Sequence, residues 1–142
     1  MEIVYKSIDE LTPYENNPRH NENAVAAVAA SIKEFNFKVP LVIDTNGVVV
    51  AGHTRLLAAR QLGLSAVPCI VADDLTPEQI RAFRLADNKT AELAGWDFTK
   101  LESELSGISK QFDMTSFGFD ETEDIDIDGF FEDAEQIGRA HV

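Results

Sequence analysis

The sequence has one cysteine and no long apolar run. Cysteine pairs cross-link many small proteins, and long apolar runs anchor proteins in membranes. Its one cysteine, Cys69, has no partner for an internal disulfide and no neighbouring cysteine with which to share a metal, which agrees with a reducing compartment. No run approaches the roughly 18 consecutive apolar residues of a membrane span, and the start MEIVYKSIDE lacks the basic-then-apolar pattern of a signal peptide. We therefore expect a cytoplasmic protein with no membrane partner, in which Cys69 is a small core residue.

Basic residues are also scarce, and the acidic excess is uneven. The net charge of −13 disfavours direct, tight binding of a nucleic acid by the whole chain. Residues 112–142 hold 10 of the 25 acidic residues and one of the 12 basic ones, which predicts an acidic linker or tail after a single domain over residues 1–111. That domain can still carry a local basic site, for which the candidates are Arg19, Arg55, Arg60, Arg81, Arg84 and Lys89.

Hydrophobic periodicity predicts a small α/β fold. A stripe of apolar residues at helical spacing from Glu22 to Phe35 indicates a helix, and TNG at Thr45–Gly47 indicates a turn between the strands VPLVID and VVVAG. VVVAG is apolar on both faces, which favours a central strand. A helix is expected to open at or near Thr54 and to end at Gly63, while EIVYKSIDEL and AVPCIVA read as further strands, the first of them at an edge.

Two more helices are expected after these strands. Thr76 begins a capping signature, and its helix is predicted to bury Ile80, Phe83, Leu85 and Ala86 and to end near DNKT. Asp97 is expected to cap a short helix with Leu101 and Leu105 on one face, and the pattern decays after Ser106. Together these elements predict a small mixed sheet flanked by helices.

The stretch GHTR, at the transition from strand to helix, combines residues that suit an anion. The first N–H groups of a helix have no partner within the helix, and the helix dipole is positive there. Gly52 allows the backbone to approach a phosphate, Arg55 can add a bidentate grip, and Thr54 and His53 can donate hydrogen bonds. His53 can also take part in proton transfer. The alternative is a tight turn followed by an ordinary cap and a solvent-facing arginine.

Two other polar clusters could complete such a site. In NPR, Pro18 restricts the backbone of a loop from which Arg19 could reach a shared pocket. In LADNK, Asp87 could ligate Mg²⁺, and Asn88 could hold a phosphate or the water of the metal. The alternatives are a surface turn and a plain helix end.

Taken together, LTPYENNPR, VVVAGHTRLLAARQLG and LADNK resemble the N-terminal domain of the ParB/sulfiredoxin superfamily, over about Ile3 to Asp97. The detail is most similar to the ParB-like domain that precedes phage-type and mobile-element DNA methyltransferases. The resemblance implies a domain that binds a nucleoside triphosphate, most often cytidine triphosphate (CTP), together with Mg²⁺. In the partition proteins of this superfamily the nucleotide acts as a switch and is slowly hydrolysed.

The resemblance implies a role for each matching residue. Asp87 would hold the metal, and His53 and Asp87 would act in any turnover. Asn17, Arg19, Gly52, Arg55 and Asn88 match motif positions of the superfamily and are implied to contact the nucleotide. His53, Thr54 and Lys89 lie beside these motifs, and we expect them to contact the nucleotide as well because of their polar side chains.

This chain departs from the pattern of the superfamily at several points. Partition proteins carry Glu and Arg after the loop glycine, where this chain has His53 and Thr54, so one cationic contact is missing. A glutamine expected in the first motif is absent, and we expect neither a DNA-reading nor a dimerisation domain within these 142 residues. Sulfiredoxins have a catalytic cysteine where this chain has His53, which excludes sulfinic-acid reduction.

Three functions follow from these observations. The first is a nucleotide-binding switch or accessory module in a DNA-modification, partition or phage system, with DNA contacted through a partner or an appended domain. The second is an enzyme, either a metal-dependent nuclease or a small-molecule phosphotransferase; a nuclease needs clustered carboxylates, of which only Asp87 is in position. The third is an adaptor whose acidic segment Asp120–Glu135 binds a basic partner or a methyltransferase, or mimics the charge of DNA.

Overall fold

A computed structural model of the chain describes residues 1–17 and 22–119 and divides into two compact units. The first unit, Met1–Ala94, contains strands β1 (Val4–Ser7), β2 (Leu41–Ile43), β3 (Val49–Ala51) and β4 (Ala66–Val71), with helices α1 (Glu22–Phe35), α2 (His53–Gln61) and α3 (Pro77–Leu93). The second unit begins at Gly95 and contains helix α4 (Phe98–Ile108) and a 3₁₀ helix, Met114–Phe117.

The four strands form one mixed sheet in the order β1-β4-β2-β3. β1 is antiparallel to β4, β4 is parallel to β2, and β2 is antiparallel to β3. This confirms the predicted mixed α/β fold, with β1 at an edge. The central position predicted for VVVAG is wrong, because β3 is the other edge strand. Its apolar side chains are buried because α3 packs on β3 and because Thr12 forms a bridge beside Val48.

The turn predicted at TNG joins β2 to β3. The carboxylate of Asp44 accepts the backbone N–H groups of Asn46 at 2.8 Å and of Val48 at 2.9 Å. Gly47 has φ +80, and a Cβ atom there would lie 2.5 Å from the carbonyl oxygen of Glu10. Only glycine satisfies both the left-handed backbone and this close approach. The turn therefore fixes the β2–β3 hairpin against the loop that follows β1.

The core of the first unit lies between the sheet and the helices α1 and α2. Leu41, Ile43 and Cys69 from the strands pack with Leu56 of α2, and all four are fully or almost fully buried. α1 packs on α2, where Ala29 and Ala58 are small enough for the two helices to approach closely. The prediction that Cys69 is a small core residue is confirmed.

Helix α3 ends later than predicted, and the face that it buries differs from the predicted one. The capping box at Thr76 and Gln79 is confirmed, with N–H to oxygen distances of 2.9 and 3.2 Å. The helix continues to Leu93, so the end predicted near DNKT is wrong. No glycine or proline interrupts the segment after residue 87, and good helix formers follow.

The predicted burial of this helix is also wrong in part. Phe83 is 38% exposed, Leu85 is 58% exposed and Ala86 is exposed, whereas Arg84 is only 6% exposed. α3 lies along edge strand β3 and buries a narrow face that contains this arginine.

The second unit contains the cap predicted at Asp97, whose carboxylate accepts the N–H of Lys100 at 3.2 Å. Leu101 and Leu105 are buried as expected, and α4 continues to Ile108. The segment Asp120–Glu135 lies outside the described residues. No helix in the described ranges is both long and apolar enough to span a bilayer.

Candidate functional site

A cavity of about 220 Å³ opens in the first unit where β3 leads into α2 and α3 passes beside it. Residues from all three predicted polar segments contribute to its wall. The polar and glycine residues that line it are Tyr14, Asn17, Gly52, His53, Thr54, Arg55, Arg84, Asp87 and Asn88. The cavity is therefore lined by residues of helices α1, α2 and α3, of strand β3 and of the loop before α1.

Gly52 shapes the junction between β3 and α2. It is the N-cap residue of the helix, with φ +100 and ψ 25, and as a glycine it has no side chain to bond to the first amides. A Cβ atom on Gly52 would lie 2.5 Å from Cδ2 of Leu41 and 3.0 Å from Nη2 of Arg55. The missing side chain thus leaves room for the guanidinium of Arg55. It also leaves the positive end of α2 at the cavity wall.

Arg55 is held in this space by a hydrogen bond to the backbone. Its Nη2 donates to the carbonyl oxygen of Pro40 at 3.1 Å, while its buried Nε has no hydrogen-bond partner among the residues that the structure describes. Burial lowers the pKa of Arg55, and the nearby carboxylate of Asp87 opposes that shift. The guanidinium is oriented but retains the capacity to donate to a ligand.

His53, the first residue of α2, is a neutral imidazole near pH 7. Burial lowers its pKa below the ordinary value of 6.5, and the charge of Arg60 lowers it further. Within the described ranges, its buried Nδ1 has no hydrogen-bond partner. A neutral imidazole can donate or accept one hydrogen bond at each nitrogen, so His53 can hold a proton for a ligand or take one from it.

Helix α3 contributes the opposite wall through one face. Arg84, Asp87, Asn88 and Ala91 follow the i, i+3, i+4, i+7 spacing that aligns side chains along a helix. Nη2 of Arg84 donates to the carbonyl oxygen of Val49 at 3.2 Å, and its guanidinium carbon lies 3.5 Å from the centroid of the Tyr14 ring. Its Nε has no hydrogen-bond partner in the part of the chain that the structure describes.

Sequence reasoning did not identify Tyr14 as a site residue, and it named Arg84 only as one of several basic candidates. The helical spacing of Arg84 with Asp87 and Asn88 would have predicted that they share a face, provided the helix was recognised to continue past Asp87. No comparable periodic signal marked Tyr14, which lies in a loop.

Most of the predicted site residues meet at this cavity. Asn17, Gly52 to Arg55, Asp87 and Asn88 all line it. Lys89 does not; it is exposed, and its Nζ lies 3.9 Å from a carboxylate oxygen of Glu92. Arg19 lies outside the described residues. The roles assigned to these residues remain predictions.

The donor set fits an anion better than a bare metal ion. Among the residues that the structure describes, no group of three His, Cys, Asp or Glu side chains is arranged to hold a metal. Asp87 is the one carboxylate among the described residues that line the cavity. Mg²⁺ is commonly held by one or two carboxylates together with the phosphates of a ligand. These residues therefore fit Mg²⁺ when it arrives with a phosphate group.

The mixed sheet, the start of α2 at Gly52 and the two arginines define a class of protein: a small α/β domain with an arginine-lined cavity at a strand-to-helix junction. The sequence model described as the ParB N-terminal domain matches residues 1–89. The chain belongs to the ParB N-terminal domain family. This confirms the resemblance inferred from the three motifs.

Individual proteins and structures agree with this assignment. The chain is 44% identical over 80 residues to the ParB-like nuclease domain-containing protein YnaK of Escherichia coli (strain K12), a match covering 56% of this chain and 92% of YnaK. It is 30% identical over 86 residues to the probable chromosome-partitioning protein ParB of Campylobacter jejuni, covering 57% of this chain and 31% of that protein.

Among solved structures, the chain is similar to the C-terminally truncated chromosome-partitioning protein ParB from Caulobacter crescentus, complexed with CTP-γ-S. The TM-score is 0.72 with 18% sequence identity, over 99% of this chain and 91% of that one. At this level of identity the similarity shows a shared fold.

Proposed function

We propose that this ParB-like module binds a nucleoside triphosphate with Mg²⁺ and acts as a nucleotide switch or accessory domain in a DNA-modification, partition or phage-type system. One observation carries the proposal. Among the described residues, the buried side-chain nitrogens without a hydrogen-bond partner are Nδ1 of His53, Nε of Arg55 and Nε of Arg84, and all three belong to one cavity. Buried polar atoms are seldom left unpaired, so three in one cavity indicate a ligand that bonds to them.

The size of the cavity favours the phosphate part of such a ligand. A volume of about 220 Å³ is smaller than the roughly 300–1,000 Å³ of pockets that enclose whole drug-sized ligands. The nucleoside would therefore extend beyond this cavity. CTP is the nucleotide to test first, because the Caulobacter crescentus ParB with the same fold was crystallised with CTP-γ-S.

Each residue has a distinct part in this proposal. The first amides of α2 and the guanidinium of Arg55 would bond to phosphate oxygens, as helix starts and arginines do elsewhere. Asp87 and Asn88 would hold Mg²⁺, which neutralises phosphate charge. His53, kept neutral by burial, would hold or move a proton at the phosphates, which is consistent with at most slow turnover.

Isothermal titration calorimetry of the four ribonucleoside triphosphates with Mg²⁺ tests the proposal. We expect measurable binding of at least CTP and about 10- to 100-fold weaker binding by Arg55→Met, since a charged hydrogen bond contributes about 1.5–3 kcal/mol. Lys33→Met is the matched control, because it removes an equal charge from an exposed position on α1. Absence of binding for all four nucleotides would contradict the proposal.

The second candidate function is metal-dependent hydrolysis of a phosphodiester. His53 and Asp87 line one cavity, and YnaK is described as containing a ParB-like nuclease domain. Incubation of plasmid DNA with Mg²⁺ or Mn²⁺ tests this function, with Asp87→Asn as the control for contaminating nuclease. Cleavage by the wild type that is lost in Asp87→Asn would favour the enzyme.

We further propose that any contact with DNA runs through a partner or an appended domain, with a methyltransferase or another protein binding the acidic residues 112–142. The net charge of −13 repels a polyanion. Tight binding of DNA by the chain alone at about 0.1 M salt, measured by fluorescence anisotropy, would contradict this proposal, because the chain would then need neither a partner nor an appended domain.

A further inference from the structure

Arg84 is the most completely buried charged side chain that the structure describes. Its exposed fraction is 6%, and among the described residues it forms no ion pair. A buried charge without a counter-charge is costly, because it has lost its hydration without gaining an opposite charge. Arg84 lines the same cavity as Arg55, which also forms no ion pair within the described part of the chain. The cavity wall therefore carries two guanidiniums and the single carboxylate of Asp87.

The contacts of Arg84 satisfy only part of the guanidinium. Its Nη2 bonds to the Val49 carbonyl oxygen at 3.2 Å, and the Tyr14 ring covers one flat side at 3.5 Å. These contacts fix the plane of the group and attach α3 to β3. Among the described residues, no group accepts the Nε–H of Arg84. The guanidinium is thus oriented in advance and retains a donor for an anion.

We propose that Arg84, stacked on Tyr14, forms with Arg55 a paired-guanidinium subsite that selects ligands with two or more linked phosphates over a single phosphate. This inference rests on the proposed function of the same cavity, and it adds which ligands the cavity selects. Two cations on different helices, opposed by one carboxylate, are best balanced by a ligand with several negative charges, and linked phosphates can bond to both helices at once. Arg84 thereby supplies the second cation that the loop sequence GHTR lacks.

Arg81 provides a matched comparison on the same helix. It lies one turn before Arg84, is exposed and lines a neighbouring cavity without reaching the first one. Arg81→Met and Arg84→Met therefore change the net charge equally, but only Arg84→Met removes a charge from the cavity. A long-range charge effect would weaken anion binding in both variants, whereas the subsite predicts a loss in Arg84→Met only.

The experiment measures binding of inorganic triphosphate, inorganic phosphate, CTP and CMP, each with Mg²⁺, to the full chain by calorimetry. We expect Arg84→Met to weaken inorganic triphosphate and CTP binding by about 10- to 100-fold, the loss of one charged hydrogen bond. Binding of phosphate and CMP should change by less than about threefold, as should every ligand with Arg81→Met. Arg84→Lys, which keeps the charge but loses the planar fork, should fall between wild type and Arg84→Met. If Arg84→Met does not fold, Arg84→Lys gives the result.

Each possible result of the calorimetry either supports or contradicts the subsite. Equal triphosphate binding by wild type, Arg84→Met and Arg84→Lys, or equal losses in Arg81→Met and Arg84→Met, overturns the subsite while leaving CTP binding intact. Arg84-dependent binding of inorganic triphosphate without binding of any nucleotide supports the subsite and refutes the proposed function. A uniform loss for mono- and triphosphates in Arg84→Met refutes the selectivity.

Discussion

Three side chains in one small cavity have buried nitrogens for which the described residues provide no hydrogen-bond partner. A folded chain normally pairs its buried polar atoms, because each unpaired one costs about 1–3 kcal/mol. His53 and Arg55 come from α2, whereas Arg84 comes from α3, so no single local irregularity explains all of them. Their meeting at one cavity is the residue-level argument for a ligand.

His53 makes stability depend on pH in a defined direction. Its pKa is lowered in the folded chain by burial and then by Arg60, from an ordinary value of 6.5. Between the lowered pKa and 6.5, the unfolded chain therefore binds more protons than the folded one. The free energy of unfolding should fall as pH falls through this window and should recover above it.

Urea unfolding of the ligand-free chain at pH values between about 5.5 and 7.5 measures this dependence, above the range where most carboxylates titrate. We expect His53→Gln to lose less stability than wild type as the pH is lowered. His141→Gln, which removes a histidine from the acidic residues 112–142, should follow wild type. Parallel profiles for wild type and His53→Gln would show that His53 does not carry the effect.

At the level of elements, the junction between β3 and α2 depends on Gly52. Alanine there meets two penalties: φ +100 is unfavourable for any residue with a Cβ, and that atom would lie 2.5 Å from Cδ2 of Leu41. We expect Gly52→Ala to lower the free energy of unfolding by about 2–4 kcal/mol. Its triphosphate binding should weaken as well, since the new Cβ would displace the guanidinium of Arg55.

Gly63, at the other end of α2, separates the two penalties. Its φ is +71, and a Cβ atom there would meet nothing within 4 Å. Gly63→Ala should therefore cost only the backbone penalty, about 1 kcal/mol, and leave ligand binding unchanged. Equal losses in urea unfolding for Gly52→Ala and Gly63→Ala would mean that overlap with Leu41 contributes nothing.

The elements differ in how far their own sequence determines them. The capping box at Thr76, the turn at Gly47 and the end of α2 at Gly63 were predictable, because each depends on residues within one turn. The position of β3 at the edge was not, because an apolar strand covered by a neighbouring helix has the same composition as a central one. Sheet order is set by distant packing.

The polar segments that meet at the cavity could be predicted from the sequence, whereas Tyr14 and the position of Arg84 could not. GHTR indicated an anion site from the chemistry of a helix start, and Asp87 with Asn88 completed it by resemblance. The contact of Arg84 with Tyr14 joins residues far apart in sequence and depends on how α3 lies along β3. A buried arginine that contacts an aromatic ring produces no local sequence pattern. Only the structure therefore distinguishes Arg84 from the other basic candidates.

In the whole molecule, much of the negative charge lies in a segment that would repel the proposed ligand, which is itself an anion. Residues 120–142 carry nine acidic residues and one basic residue, although the cavity itself is rich in arginine. Repulsion between exposed charges reaches about 30 Å at 0.01 M ionic strength and about 3 Å at 1 M. The acidic segment should therefore weaken polyphosphate binding at low salt and have no effect at high salt.

A chain that ends at Phe119 tests this prediction together with a full-length chain in which Asn and Gln replace the nine acidic residues. We expect both to bind inorganic triphosphate several-fold more tightly than wild type at about 0.01 M ionic strength and equally tightly at about 1 M. Agreement between the two variants would assign the effect to charge rather than to length. Weaker binding by the shortened chain would instead mean that residues after Phe119 contribute contacts to the ligand, and the argument from repulsion would be wrong.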